Sequence, residues 1–188
     1  MPGYLGALTI LLLVGMVLTR AWLLKKKGIT AVRFGELDRT DFLIPPFALF
    51  YFYLIFANAF HWKTAGAARF FPSPWLAWVG VFLCCVGLLL LFLSLVSFGV
   101  SFRIGIDTEA PDKLVTSRVF AFTRNPIYVA FGFVLFGEFL IASNWIMLVY
   151  LVAGVALFHR QVLREEAYLR EHYGDEFRVY CARVRRYL

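Results

Sequence analysis

Apolar residues in this chain come in long unbroken runs, and charges mark where the runs stop. Residues 1–19, 42–62 and 70–102 carry no charge, and between Arg124 and Arg160 the one charged residue is Glu138. A helix needs roughly 20 apolar residues to cross a hydrocarbon core about 30 Å thick. Backbone polar groups in lipid must bond within their own segment, so such runs read as helices. The pattern predicts spans near 4–24, 43–62, 75–98, 126–142 and 145–160. Only Ser143-Asn144 separates the last two, which predicts a tight helical hairpin. Its second arm is short and is expected to continue past the membrane surface.

Beyond that arm the period changes. From Phe158, apolar residues recur at Val162, Leu169 and Tyr173, with Leu163 and Ala167 beside them, while Arg160, Arg164 and Arg170 fall elsewhere on the wheel. Gly174 suits a helix end. Asp175 suits the cap of a second short helix carrying Phe177, Tyr180, Cys181 and Val184. A helical tail of this kind lies against a membrane face.

Composition agrees with the pattern and removes other classes. The 188 residues are 61% hydrophobic and 16% charged, with mean hydropathy +0.74. A soluble domain carries about 45–50% apolar and about 25% charged residues, so disorder, a coiled coil and an ordinary cytosolic globule are excluded. The fold class is all-α integral membrane: about five transmembrane helices and a C-terminal amphipathic helical segment on the cytoplasmic face. Residues 1–188 form one domain, with three spans in 1–102 and a loop, hairpin and tail in 103–188. The N-terminus lacks the basic region and cleavage site of a signal peptide, so the first span is expected to be retained.

The net charge of +7 sets orientation in so apolar a chain, where in a soluble one it would point to nucleic acid. Of 19 Lys+Arg, only Lys63 and Arg69 fall between spans two and three. The rest follow span one (Arg20, Lys25, Lys26, Lys27, Arg33, Arg39), precede span four (Arg103, Lys113, Arg118, Arg124) or occupy the tail. Basic residues stay on the cytoplasmic side, so the N-terminus is expected outside and the C-terminus inside. Cys84, Cys85 and Cys181 form no disulfide framework and read as reduced. No metal-ligand spacing appears among them and the three His, and no nucleic-acid partner is expected.

A hairpin returns the chain to where it started. The geometry therefore brings Arg124-Asn125-Pro126-Ile127-Tyr128 close to the stretch His159–Glu166. Pro126 suits a first helical turn and pushes Asn125 into an extended conformation. A helix start with an Arg beside it is an anion site, or else simply a capped start with Arg124 on lipid phosphate and Tyr128 in the aromatic belt. Glu165 and Glu166 accept hydrogen bonds from vicinal hydroxyls or an amine, or else belong to a solvated face in which Glu166 pairs with Arg170, with Gln161 four residues before Glu165. His159 is a pocket wall or an interfacial histidine. Glu138, an ionisable group nearer the outer half of the bilayer, is a functional residue or a hydrogen-bonded packing residue.

At these positions the sequence resembles the isoprenylcysteine carboxyl methyltransferase family and its bacterial relatives, including phospholipid N-methyltransferases. The residues concerned are Leu114-Val115-Thr116-Ser117, Arg124-Asn125-Pro126-Ile127-Tyr128, Arg164-Glu165-Glu166, Leu169, Tyr173-Gly174-Asp175-Glu176-Phe177, Tyr180 and Arg183-Val184-Arg185-Arg186. The resemblance covers about 103–188. It implies an integral membrane enzyme using S-adenosylmethionine and a lipophilic small-molecule acceptor that enters from the bilayer, in contact with membrane lipids and without a metal. By position it implies cofactor contacts from Lys113, Leu114, Val115, Phe120, Asn125, Pro126, Ile127, Tyr128, His159, Glu165 and Glu166. Arg124, Arg160 and Gln161 are then the candidates at the reacting end.

Three departures from the family pattern stand out. Arg118-Val119-Phe120 replaces Gly-Pro-Tyr, which is expected to remove a tight turn and a phenol. Ala130 stands where Gly is frequent. Gln161 stands where eukaryotic members have an Arg near the substrate. Sterol-type membrane reductases, which bind NADPH, share the Arg-x-Pro-x-Tyr motif and the hairpin, but Val129-Ala130-Phe131 follows Tyr128 where they tend to have a Glu. A non-catalytic membrane adaptor accounts for the basic tail but not for the paired motifs.

Overall fold

A computed structural model describes residues 1–26, 28, 44–62, 68–71, 73–99 and 114–188. Lys113, expected at the cofactor, lies outside the described residues, as do Lys27, Arg33, Arg39, Lys63 and Arg103. Every regular element among the described residues is helical. The helices are α1 (Pro2–Lys26), α2 (Ile44–Ala59), α3 (Pro74–Phe98), α4 (Pro126–Ala142) and α5 (Trp145–Arg183), with a short 3-10 turn at Arg118–Ala121 before α4. The first four predicted spans each coincide with one helix to within a few residues, and the fifth, predicted at 145–160, starts where expected but belongs to a helix that runs on to Arg183. By length and composition α1, α3 and α5 are long and apolar enough to cross a membrane, whereas α2 and α4 are shorter apolar helices. The outer surface is apolar: Leu11 and Leu18 of α1, Phe82 and Leu89 of α3 and Val149 and Val152 of α5 are all exposed. In water such a surface would aggregate; in lipid it is the favourable one.

The closest packing is between α3 and α4, and small residues make it possible. A Cβ on Gly80 would lie 2.5 Å from the Gly137 carbonyl oxygen, one on Gly137 2.6 Å from that of Gly80, and one on Gly87 2.8 Å from that of Ala130. Where lipid is as apolar as a side chain, helices associate through such backbone approach. Ala130 is fully buried here, with its carbonyl oxygen facing Gly87. One core cluster joins α1, α2, α4 and α5 through Ile10, Ile55, Val134 and Met147. A second joins Leu24 of α1, Leu91 and Leu95 of α3 and Ala130. The C-terminal ends of α1 and α3 and the start of α4 therefore share one end of the bundle.

The hairpin closes at the opposite end. Ser143 takes a left-handed conformation (φ 42°), and the Asn144 side chain accepts from Met147 N–H at 2.9 Å. Phe70 N–H donates to Ser143 O at 2.7 Å, pinning the approach to α3 onto this turn. α5 then runs well past the length a bilayer needs, as the short second arm of the hairpin leads one to expect. Gly174, at φ 50° and ψ −118°, breaks the helical path. Only glycine adopts that conformation without strain. The stretch after it carries buried Phe177 and Tyr180 back toward the start of α4. Asp175 there is exposed and pairs with Arg178.

Candidate functional site

The chain from Ser117 to Pro126 carries one residue in an unexpected conformation. Arg118 opens the 3-10 turn at φ 58°. A turn is therefore present where Arg118-Val119-Phe120 is expected to remove one; Arg118 holds a left-handed conformation there and bears strain that glycine would avoid, about 1–2 kcal/mol. The phenol is absent, but Phe120 is buried and its ring stacks edge-on to Phe98 at 4.5 Å. Tyr180 donates to Phe120 O at 2.6 Å. Burial pushes this hydroxyl up to about 12, so it remains a donor at physiological pH.

After the turn, residues 123–125 meet the end of the chain. Arg124 N–H donates to Arg185 O at 2.9 Å, and Thr123 pairs with Arg185 as an isolated parallel bridge. Thr123 Oγ1 and Asn125 Nδ2 each donate to Arg186 O at 3.2 Å. Residues 184–187 thus form a strap across the start of α4. The Arg124 guanidinium crosses beneath it, donating from Nη1 to Cys181 O (3.1 Å) and Val184 O (3.0 Å).

Glu166 lies at the centre, 3% exposed. Its Oε1 accepts from Arg124 Nε (3.2 Å), Arg124 Nη2 (3.1 Å) and Asn125 Nδ2 (3.2 Å). Its Oε2 accepts from Arg186 Nε (3.0 Å) and Nη2 (2.8 Å). Its charged partners come from two distant segments and not from the helical neighbour Arg170. Burial alone would push this carboxyl up, but the hydrogen bonds and charges of Arg186 and Arg124 outweigh it and hold the group below its ordinary value.

Glu165 has different company. Its Oε1 accepts from the Tyr128 hydroxyl and, at 3.3 Å, from Gln161 Nε2. Both are neutral donors. Burial pushes Glu165 above the usual carboxylate range, and those two hydrogen bonds offset the shift only in part. Tyr128 sits in an aromatic wall with Phe158 (5.9 Å between ring centroids) and Phe131 (6.5 Å).

The hairpin therefore brings the two predicted motifs together with crossed partners: Arg124 and Asn125 reach Glu166, and Tyr128 reaches Glu165. Pro126 is buried at the first turn of α4. Ile127 points elsewhere, into the cluster with Leu91 and Leu95. Leu114 and Val115 are half-buried on the approach to the turn, and Arg160 is exposed on α5. His159 Nδ1 lies 2.8 Å from the Tyr187 hydroxyl. Thr123, Phe131 and Tyr187 were not singled out from sequence. Thr123 and Phe131 had no signal beyond adjacency to the motif; Tyr187 followed a quoted basic run but is placed only by the strap.

Glu138 is remote from this site. It is 1% exposed and packs between α1, α3 and α4, with Cys84 Sγ 3.8 Å from its Oε1. A Cβ on Gly6 would come within 2.5 Å of its Oε2. The hydrogen-bonded packing account fits this geometry. All three cysteines are free, and no group of residues able to hold a metal occurs among the described residues.

Residues 75–176, more than half of the chain, match the phospholipid methyltransferase family. The chain belongs to this family. The family match takes in α3, α4, the turn between them and α5 as far as Glu176, so it begins well before the motifs quoted from sequence and stops short of the strap. The chain is also similar to the protein-S-isoprenylcysteine O-methyltransferase of Schizosaccharomyces pombe, at 28% identity over 103 residues, covering 53% of this chain. It spans 44% of that relative's length. Family membership and the apolar helices make the chain an integral membrane protein.

Proposed function

We propose that this chain is an S-adenosylmethionine-dependent methyltransferase acting on a lipophilic acceptor, an isoprenylcysteine-like carboxylate or another membrane-embedded acid, amine or thiol. The observation that carries the reading is Glu165: a half-buried carboxylate whose contacts among the described residues are the neutral donors Tyr128 and Gln161, beside a cage in which Glu166 is matched by two guanidinium groups. A carboxylate short of positive charge in a desolvated place favours a cationic ligand. S-adenosylmethionine carries a sulfonium and an ammonium as well as ribose hydroxyls, and this donor and acceptor set fits it. When bound, it supplies a methyl group activated for in-line displacement.

The residues have separate tasks in this reading. Glu165 accepts from the ligand's ammonium or hydroxyls, oriented by Tyr128 and Gln161. The aromatic wall of Tyr128, Phe131 and Phe158 keeps water away and offers an apolar flank to an acceptor arriving through the bilayer. Displacement at a sulfonium needs little proton transfer, so alignment in a dry pocket supplies most of the rate. Arg124 has every guanidinium nitrogen engaged with Glu166 or strap carbonyls, which suits it to positioning. Balancing negative charge on an acceptor then falls to Arg160. Leu114, Val115 and Phe120 line the adenosine side.

In the same reading all five helices span the membrane and residues 1–188 form one domain. The tail beyond about 160 lies on the cytoplasmic face, with the N-terminus outside. Arg124, Lys25 and Lys26 at one end of the bundle, where α1 ends and α4 starts, support that orientation. Equilibrium binding on the purified chain tests the proposal. S-adenosylmethionine is expected to bind with Glu165-dependent affinity; saturable binding of NADPH instead would replace the reading with a reductase, and binding of neither would leave an adaptor.

A further inference from the structure

One arginine lies inside an apolar helix and on its inward face. α1 ends on Lys25 and Lys26, both exposed, and Arg20 stands about 7.5 Å deeper along the helix at 1.5 Å per residue. Leu13, Met16 and Val17, one to two turns before it, and Leu24, one turn after it, all pack into the cluster with Leu91 and Leu95 of α3. At 3.6 residues per turn these positions form one stripe, and Arg20 belongs to it. The opposite face of α1, with Leu18, Trp22 and Leu23, is exposed. Arg20 itself is half-buried, and its Nε is buried without a hydrogen-bond partner.

The helices packed on this stripe supply no anion to match it. α1 and α3 contain no acidic residue. The one acid of α4, Glu138, sits against Gly6, about 21 Å from Arg20 along α1. Arg124 and Arg186, by contrast, are both held by Glu166. An arginine that only reached for lipid headgroups would run its stem along the outer face and keep its nitrogens wet; this one buries Nε among packed side chains. A charged residue that faces the inside of a membrane bundle is costly, and marks a place where a charge is met. A guanidinium offers paired donors to a carboxylate or a phosphate. At this depth such a group arrives only on an apolar chain, because a free ion does not enter hydrocarbon. Arg20 also lies outside residues 75–176, so the family match says nothing of it.

We propose that Arg20 forms a binding site, on the inward stripe of α1, for the oxyanion head of an amphiphile that enters from the bilayer, a long-chain carboxylic acid or an anionic phospholipid. The site stands apart from the methyl-transfer reading, although the two adjoin: Phe131 packs against the same cluster, and its ring lies 6.5 Å from that of Tyr128.

Fluorescence titration of the full chain in an uncharged detergent tests it, with dansylaminoundecanoic acid as the probe and its methyl ester as the neutral control. The wild-type chain is expected to bind the acid saturably and about 10-fold or more tighter than the ester. Arg20→Gln should abolish that preference, and Arg20→Lys should keep part of it. Competition distinguishes the two sources: displacement by palmitic acid identifies a free acid, and displacement by phosphatidylglycerol a phospholipid. Thermal unfolding gives a second reading. Arg20→Leu removes an unmatched charge, so its midpoint should be no lower than that of the wild type, while the acid probe should raise the midpoint of the wild type alone. Equal affinity of the wild type for acid and ester, an acid preference that survives Arg20→Gln, or a midpoint lowered by Arg20→Leu would each overturn the site. A wild-type chain that fails to bind S-adenosylmethionine yet shows the Arg20-dependent preference would overturn the methyl-transfer reading and keep the anion site.

Discussion

Glu165 and Glu166 are neighbours in the chain and opposites in the structure. Glu166 is enclosed by Arg124, Arg186 and Asn125, and each of its oxygens has donors. Glu165 faces Tyr128 and Gln161 and receives no guanidinium among the described contacts. One carboxylate is held below its ordinary pKa and the other is pushed above it. Adjacent residues on a helix point about a quarter-turn apart, and that angle is sufficient to separate a structural ion cage from a ligand-facing carboxylate. Charge count alone does not distinguish them: among the described residues one carboxylate is matched by two guanidinium groups and its neighbour by neutral donors.

The largest effect should come from breaking the matched side. Glu166→Ala leaves Arg124 and Arg186 facing each other without an anion, and a loss of about 3–5 kcal/mol is expected from removing one partner of a buried pair. Thermal unfolding in detergent reads it; a change within experimental error would mean the cage contributes nothing to the fold. Glu165→Ala should do the reverse, weakening S-adenosylmethionine binding well beyond tenfold, or more than about 1.4 kcal/mol, with the unfolding transition nearly in place. Equal damage from both variants to stability and binding would erase the distinction.

Acidification separates the two carboxylates without mutation. Glu165 has a raised folded pKa and binds a cation only when ionised, so donor affinity should fall as pH drops through that raised value. Glu166 has a depressed folded pKa. Its contribution to stability is present above the unfolded carboxylate value and is lost only as pH falls through the lower folded one. Binding should therefore fail at a higher pH than the strap does, which calorimetry and unfolding across one pH series would reveal. Tyr128→Phe sharpens the contrast on a smaller scale. Loss of one hydrogen bond to Glu165 should cost about 1 kcal/mol of donor affinity and leave the Glu166 cage unaffected. Smallest is Arg118→Gly, which touches neither carboxylate. Relief of its left-handed conformation should raise stability by up to about 1 kcal/mol, detectable as a higher midpoint of unfolding with unchanged donor affinity.

Much of this arrangement was legible in the residues. The charge-free runs gave the first four helices to within a few positions and the start of the fifth, because apolar runs are read directly from neighbours in sequence, whereas the end of α5 lies in a charged stretch with no such mark. Ser143-Asn144 sufficed for the hairpin, and the hairpin sufficed to bring 124–128 against 159–166. The strap was not legible. Arg186 and Glu166 are 20 residues apart, and nothing local favours that pairing over Glu166 with Arg170. Nor was the turn at Arg118, where the absence of Gly-Pro-Tyr is expected to remove a tight turn and the chain nevertheless turns through a left-handed arginine.

The order of polar and apolar residues by itself determined that the chain is a bundle of apolar helices whose two polar motifs meet at one end. A hydrophobic period acts over one helix and is read directly from neighbours in sequence. Which carboxylate is neutralised, which stays short of partners, and where Tyr187 comes to rest were decided only by the tertiary structure. Those outcomes depend on the return of the chain after Gly174, a single glycine bend that sends the last dozen residues back across the start of α4.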